Sequence, residues 1–326
     1  MKICIYGAGA IGGFIGALLA RTSNQTGVEV SLIARGAHLA AIKQNGLTMV
    51  HGDDRFTVHP VATDNPAELG PQDFVILALK AHSVTAIIDD LQHLLGPETA
   101  VVTAQNGVPW WYFHGQEGPL KNTQIEASDP GGILWDRIGP ERAIGTVVWQ
   151  AAEILEPGVV ELTYGDRLSL GEPAGGRSDR IQRLSSVLID AGLKAPIRPN
   201  IRNEIWTKLW GNLSFNPVSV LTQMTLDNLV RNPSSHRIIA AMMTEAVAIG
   251  EKLDIRFPVT VDKRIKAAGN VGPHKTSMLQ DLEAGRPMEI DPILGGVVEL
   301  GRLTDTPTPT MNLVYDLVKA RETTLG

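Results

Sequence analysis

Along the first two hundred residues, short apolar runs alternate with amphipathic ones. "KICIY" at 2–6 predicts a strand, followed by a Gly-rich turn and a helix ending near Arg21. "VEVSLIA" at 28–34 predicts a second strand, and "AHLAAIKQNG" a helix closed by Gly46. "DFVILALK" at 73–80 and "TAVVTAQNG" at 99–107 are nearly all apolar, as strands covered on both faces are. Between them, "HSVTAIIDDLQHLLG" at 82–96 predicts a helix. "AIGTVVW", "GVVELTY" and "LSLGE" predict further strands, and residues 180–192 a helix with a Gly stop. Strands alternating with helices predict an α/β fold with a parallel sheet and right-handed crossovers.

After "APIRPN" the pattern changes, and from about Asn200 only helices are predicted. "HRIIAAMMTEAVAIGEKL" is long and amphipathic, and Thr308 and Pro309 stand as cap and first residue of a last helix. The expected organisation is an α/β domain over 1–198 followed by an all-helical domain over 199–326. Residues 108–142 fit neither pattern. They are rich in Gly and Pro yet hold three of the six tryptophans, and an irregular connection of that length is either functional or a surface flap.

Composition narrows the function classes. The chain has 326 residues, 43% hydrophobic and 20% charged, with a net charge of −6. That balance argues against nucleic acid or an anionic membrane as the main partner. One cysteine, Cys4, excludes an internal disulfide and fits a reducing compartment. Glycines at 7, 9, 12, 13 and 16 interrupt the apolar start and Arg21 ends it, so neither a signal peptide nor a membrane span is read there. A cytoplasmic protein is expected, with no metal site.

The run "GAGAIG" (Gly7, Ala8, Gly9, Ala10, Ile11, Gly12) matches G-x-G-x-x-G. Its placement, after the first strand and opening a helix, makes it a dinucleotide-binding signature. The first Gly forms the tight turn, the second lets backbone approach a pyrophosphate, and the third lets helix and strand pack closely. The helix N-terminus offers free N–H groups to the phosphates. NAD-binding chains usually end the second strand in an acid that takes the ribose 2′-OH; here "SLIARGAH" has none and offers Arg35. A guanidinium suits a 2′-phosphate, so NADP(H) is the expected cofactor. Lys80 and Asn106 each end an apolar strand, where open α/β sheets bind ligands.

In the stretch "EIWTKLWGNLSFNP" (204–217), Trp206, Leu209, Trp210 and Leu213 share one helical side, while Glu204, Lys208, Asn212 and Asn216 form a stripe on another. A solvated face would give this pattern, but such a face prefers Glu, Lys, Arg or Gln to Asn. Asn216, before Pro217, could also simply end the helix. A lysine desolvated near a cleft is a general acid, because burial lowers its pKa.

Taken in order, "GAGAIG", "LALKAHS", "QNG", "AAEILEPGVV", "LGEPAG", "NEIWTKLWGNLSFNP" and "TSMLQDLEAGRPMEID" resemble the ketopantoate reductases (2-dehydropantoate 2-reductases) over nearly the whole chain. The resemblance implies a Rossmann-type domain followed by a helical domain, with the active site in the cleft. It implies NADPH-dependent reduction of a 2-keto acid, with Lys208 as proton donor and Asn212 and Asn216 holding substrate. Asn106 would touch both nicotinamide and substrate. Lys80, Ala152 and Glu289 would lie on the cofactor side, and Ser277 would bind the substrate carboxylate. A homodimer is compatible with it. Read by itself, "TSMLQDLEAG" predicts a helix capped at Thr276 or Ser277 and stopped at Gly285, and Asp291-Pro292 a cap with a first helical residue.

Two positions depart from the family pattern: Leu226 and His274 stand where asparagines are expected. Ketopantoate is the first substrate choice. A different branched or bulkier 2-keto acid is the alternative, and a non-catalytic NADPH-binding sensor a more distant one. A panel of keto acids ranked by kcat/KM separates the first two, and cofactor binding without turnover on any of them would mark the third.

Overall fold

The structure, a computed structural model, describes residues 1–325 and divides into two compact units. One comprises Met1–Gln105, Phe113–Thr123 and Ile133–Ile201; the other comprises Asn106–Tyr112, Gln124–Gly132 and residues from Arg202 onward. The Trp-rich segment 108–142 is therefore shared between the units rather than lying whole within the first.

The first unit holds strands β1 (Lys2–Tyr6), β2 (Glu29–Ile33), β3 (Leu47–His51), β4 (Asp54–Val58), β5 (Val61–Thr63) and β6 (Gln72–Leu77). It continues with β7 (Leu95–Thr103), β8 (Ala143–Val148), β9 (Ala151–Glu156), β10 (Val159–Tyr164) and β11 (Leu168–Gly171). Seven of these form one sheet in the order β11-β8-β7-β6-β1-β2-β5, parallel except for the antiparallel edge strand β11. The β-branched runs of β1, β6 and β7 are buried on both faces, and Ile3, Ile5, Phe74, Ile76 and Val102 form the centre of the core.

A second sheet, β4-β3-β10-β9, packs on the helix Ala10–Arg21. Glycines on that helix set how closely it is held. A Cβ at Gly16 would lie 2.5 Å from Leu32 of the large sheet, and one at Gly13 would lie 2.9 Å from Val160 of the small one. The helix thus fits between two sheets by presenting hydrogen in place of side chains. The sequence reading missed β3, β4, β5 and β9. The β3–β4 hairpin closes from His51 to Asp54 through Gly52, at φ +57°.

The helix expected over 82–96 is a correction. The segment breaks into short turns, Ala81–Ser83, Thr85–Ile87, Ile88–Leu91 and Gln92–Leu94. Its bonds from Val84 N–H to Ala81 and from Ile87 N–H to Val84 span three residues, the tight form that β-branched Val, Thr and Ile adopt without filling a regular helix. The strand expected to reach residue 107 ends at Thr103.

The second unit is helical, with a single π-helical turn at Asp291–Gly295. Its longest helix, Ile201–Thr222, continues past Pro217, so Asn216 does not end it. Trp206, Leu209, Trp210 and Leu213 are all buried. Trp206 Nε1 donates to the Tyr112 hydroxyl at 2.7 Å and Trp210 Nε1 to the Met243 carbonyl at 3.0 Å. The Phe257 ring meets both indoles, at centroid distances of 5.9 and 4.6 Å. Arg202 donates through Nε to the Tyr112 carbonyl at 2.7 Å, which fixes the 106–112 segment to the start of this helix. One predicted cap is corrected: Asp291 follows the cap residue Ile290 and accepts from Tyr315 and Lys319 instead. Thr308 and Pro309 stand as expected, as N-cap and first residue of the last long helix, although the Thr308 hydroxyl makes no capping bond to backbone. Among the described residues no helix is long and apolar enough to cross a membrane.

Candidate active site

In the first unit, the loop after β1 has the form the glycine pattern requires. Gly7 sits at φ +97°, and the N–H groups of Gly7 and Ala8 both donate to the Ile33 carbonyl at the end of β2. Gly9 is the N-cap of the helix that begins with Ala10 and Ile11. A Cβ at Gly9 would meet nothing within 4 Å, whereas one at Gly12 would lie 2.1 Å from the Gly7 carbonyl. The loop is therefore closed against its own helix at Gly12 and open at Gly9, which is the arrangement a pyrophosphate needs. The residues present fit a dinucleotide.

Arg35 follows β2, is exposed, and is the N-cap residue of the helix Gly36–Asn45. Lys80 follows β6, half-buried, at the start of the first short turn. Ala152 lies on β9, half-buried, and not at the end of a large-sheet strand. Gly7 to Gly12, Arg35, Lys80 and Ala152 all belong to this unit.

In the second unit, the polar stripe of the long helix is not a solvated face. Glu204, Lys208 and Asn212 are half-buried, and Asn216 is 5% exposed. Burial pushes the Lys208 ammonium down from 10.5 to about 8, and the carboxylate of Glu289 opposes that shift. Glu289 also accepts from Asn106 Nδ2 at 3.3 Å. Asn106 reaches it because the next residue, Gly107, is pressed onto the π-helical turn. A Cβ at Gly107, φ +95°, would stand 2.4 Å from the Pro292 carbonyl, which accepts from the Val108 N–H at 2.8 Å. Asn106 thus lies three residues beyond its strand and within the helical unit, a second departure from the sequence expectation.

Ser277 is exposed and opens the seven-residue helix Ser277–Glu283. The cap itself is Thr276, whose hydroxyl accepts from the Leu279 N–H and pairs at 2.6 Å with Ser219 of the long helix. The structure therefore groups Lys208, Glu289 and Asn106, places Asn212 and Asn216 along the same helix, and ties the start of the Ser277 helix to that helix through Ser219. The two unusual positions also meet: the Leu226 N–H donates to the His274 carbonyl at 2.9 Å. Sequence reasoning passed over Gln150, a buried glutamine two residues beyond β8; in "VVWQAA" nothing but the preceding strand marks it.

Residues 3–175 match the family description "Ketopantoate reductase PanE/ApbA", and residues 200–322 its "C terminal" counterpart. The chain belongs to the ketopantoate reductase family. A 2-dehydropantoate 2-reductase of Mesorhizobium japonicum is 54% identical over 98% of this chain and 97% of its own. A crystal structure from Ralstonia solanacearum MolK2, given provisionally as a ketopantoate reductase, superposes with TM-score 0.92 at 39% identity, covering 99% of this chain and 98% of that one. The crystal structure of 2-dehydropantoate 2-reductase from Methylococcus capsulatus gives 0.83 at 27% identity, covering 100% and 98%. Membership agrees with the Rossmann-type α/β unit and helical unit described above, and NADPH is the cofactor that this family uses.

Proposed function

We propose that this chain reduces 2-dehydropantoate to pantoate, with Lys208 as the proton donor. The observation that carries the reading is a half-buried lysine whose pKa is lowered to about 8 beside Glu289, on one helical face with Asn212 and Asn216. Bound NADPH supplies the hydride for the keto carbon. The Lys208 ammonium faces the oxygen on which negative charge develops, stabilises it, and releases its proton to it. A pKa near the working pH leaves the group charged enough to donate and acidic enough to let go. Asn212 and Asn216 hold the substrate by carboxamides that donate and accept without adding charge. Ser277 gives its hydroxyl to the substrate carboxylate, and Asn106, oriented by Glu289, serves substrate and cofactor. Gly7, Ala8, Gly9, Ala10, Ile11 and Gly12 cradle the pyrophosphate, Arg35 takes the 2′-phosphate, and Lys80, Ala152 and Glu289 complete the cofactor contacts.

A bulkier 2-keto acid is the second reading, and the pairing of Leu226 with His274 favours it, since both departures from the family pattern fall at one place. The proposal extends to a cytoplasmic location, which fits the single cysteine, and to a homodimer, which the family resemblance allows. The test is NADPH oxidation with ketopantoate by the wild type and by Lys208→Ala. The variant should lose about two to four orders of magnitude in kcat while binding NADPH normally; near-normal turnover would end the assignment of Lys208. A wild type that prefers a larger keto acid by kcat/KM would select the second reading.

A further inference from the structure

Gln150 is 7% exposed, and neither its Nε2 nor its Oε1 has a hydrogen-bond partner. A buried carboxamide left unbonded on both sides costs stability, so buried polar groups in folded proteins nearly always find partners. Other glutamines of the same unit do. Gln72 Nε2 donates to the Leu69 and Gly70 carbonyls at 3.2 and 2.9 Å, and Gln105 Nε2 to Leu79 at 3.0 Å. The turn that carries Gln150 is also well fixed. Trp149 N–H donates to the Arg167 carbonyl at 3.0 Å, the Arg167 guanidinium lies 4.6 Å from the Trp149 ring centre, and a Cβ at Gly165 would stand 2.7 Å from the Trp149 carbonyl. The backbone beside Gln150 is thus held in place while its carboxamide has no partner.

Its place in the sheet says which ligand. Across the large sheet the parallel strands run β2, β1, β6, β7, β8. Arg35 follows β2, the glycine loop follows β1, Lys80 follows β6, and Gln150 follows β8. A dinucleotide with its 2′-phosphate at Arg35 and its pyrophosphate at the loop directs its other end toward the β6–β8 side, at the carboxyl ends of the strands. That end bears a primary carboxamide, a carbonyl acceptor and an NH2 donor group, the complement of what Gln150 offers.

We propose that Gln150 is a cofactor-binding residue that receives the carboxamide of the nicotinamide ring. The proposal rests on the NADP(H) reading of this unit and is independent of which keto acid is reduced. The test measures dissociation constants by fluorescence or calorimetric titration of cofactor-binding protein without substrate. The ligands are NADPH, its 3-acetylpyridine analogue, in which methyl replaces the amide NH2, and 2′-phospho-ADP-ribose, which lacks the ring. Wild type should favour NADPH over the acetyl analogue by about tenfold, the worth of one hydrogen bond. In Gln150→Met that preference should fall to within about twofold, with phospho-ADP-ribose bound as before. The cofactor-free variant should melt no lower than wild type, because it loses an unbonded buried amide; a structural glutamine would give a lower Tm. Should the Met variant fail to fold, Gln150→Glu keeps the size and an acceptor and should weaken NADPH about tenfold with phospho-ADP-ribose unchanged. Retained preference for NADPH over the acetyl analogue in Gln150→Met, or NADPH binding undiminished in Gln150→Glu, would overturn the proposal. So would unchanged cofactor binding with a raised KM for the keto acid, which would give Gln150 to the substrate. A wild type that binds none of the three would overturn the dinucleotide reading itself.

Discussion

Turnover should fail on the alkaline side before the fold loosens. The ammonium of Lys208 is the proposed proton source, and burial brings it from 10.5 to about 8 against the opposing pull of Glu289. That difference makes the charged form less favourable by roughly 3 kcal/mol. At pH 7 about nine in ten Lys208 side chains carry the proton, and at pH 9 about one in ten. With NADPH saturating, kcat/KM for ketopantoate should therefore hold level to about pH 8 and then fall about tenfold per pH unit. Glu289→Gln removes the charge that supports the ammonium yet keeps an oxygen to accept from Asn106, so the fall should begin at lower pH. Stability runs the other way. The folded-state pKa lies below the unfolded one, so between about 8 and 10.5 the unfolded chain binds more protons at this group, and its contribution to stability rises with pH. An alkaline loss of rate therefore cannot be put down to unfolding at Lys208. The assay is NADPH oxidation from about pH 6 to about pH 10, with circular dichroism alongside. A level profile up to pH 10, or a limb that Glu289→Gln moves upward, would refute the reasoning.

Two further results are expected. Arg35→Ala should raise KM for NADPH by about ten- to a hundredfold while leaving KM for NADH nearly unchanged, since only the phosphate contact is lost; equal effects on both cofactors would remove Arg35 from the site. Tyr112→Phe deletes the acceptor of the 2.7 Å bond from Trp206 and strands a buried indole N–H, which should lower the unfolding free energy by about 1–3 kcal/mol in urea titration.

The sequence carried the cofactor loop almost completely, because a strand, a tight turn and a helix N-terminus are local structures and their residues are adjacent. The β3–β4 hairpin was also present, as alternating "LTMVH" and "DRFTV" around "GD", and was simply overlooked. The broken segment 81–94 shows a real limit. Its apolar spacing suits a helix, but its β-branched residues favour tighter turns, and periodicity does not weigh the two. In the site, the stripe of Lys208, Asn212 and Asn216 was legible because four-residue spacing is local. The bond from Asn106 to Glu289 was not, since 183 positions separate them and the approach of Gly107 to Pro292 is a tertiary contact. Gln150 was invisible for a related reason: a glutamine after a strand reads as solvent-facing, and burial is decided by the turn around Trp149 and Gly165.

The tie between Tyr112 and Trp206 also has a cost in time. These residues lie 94 positions apart. A ribosome adding about 5–20 residues per second leaves roughly 5–20 seconds between the two. Throughout that interval "WWYF", residues 110–113, all buried in the finished protein, has left the ribosome without the helix that brings Arg202 and Trp206 to Tyr112. Four consecutive aromatics are a sticky signal during synthesis, so the nascent chain has a defined window in which chaperones compete with aggregation, and it closes when the long helix emerges.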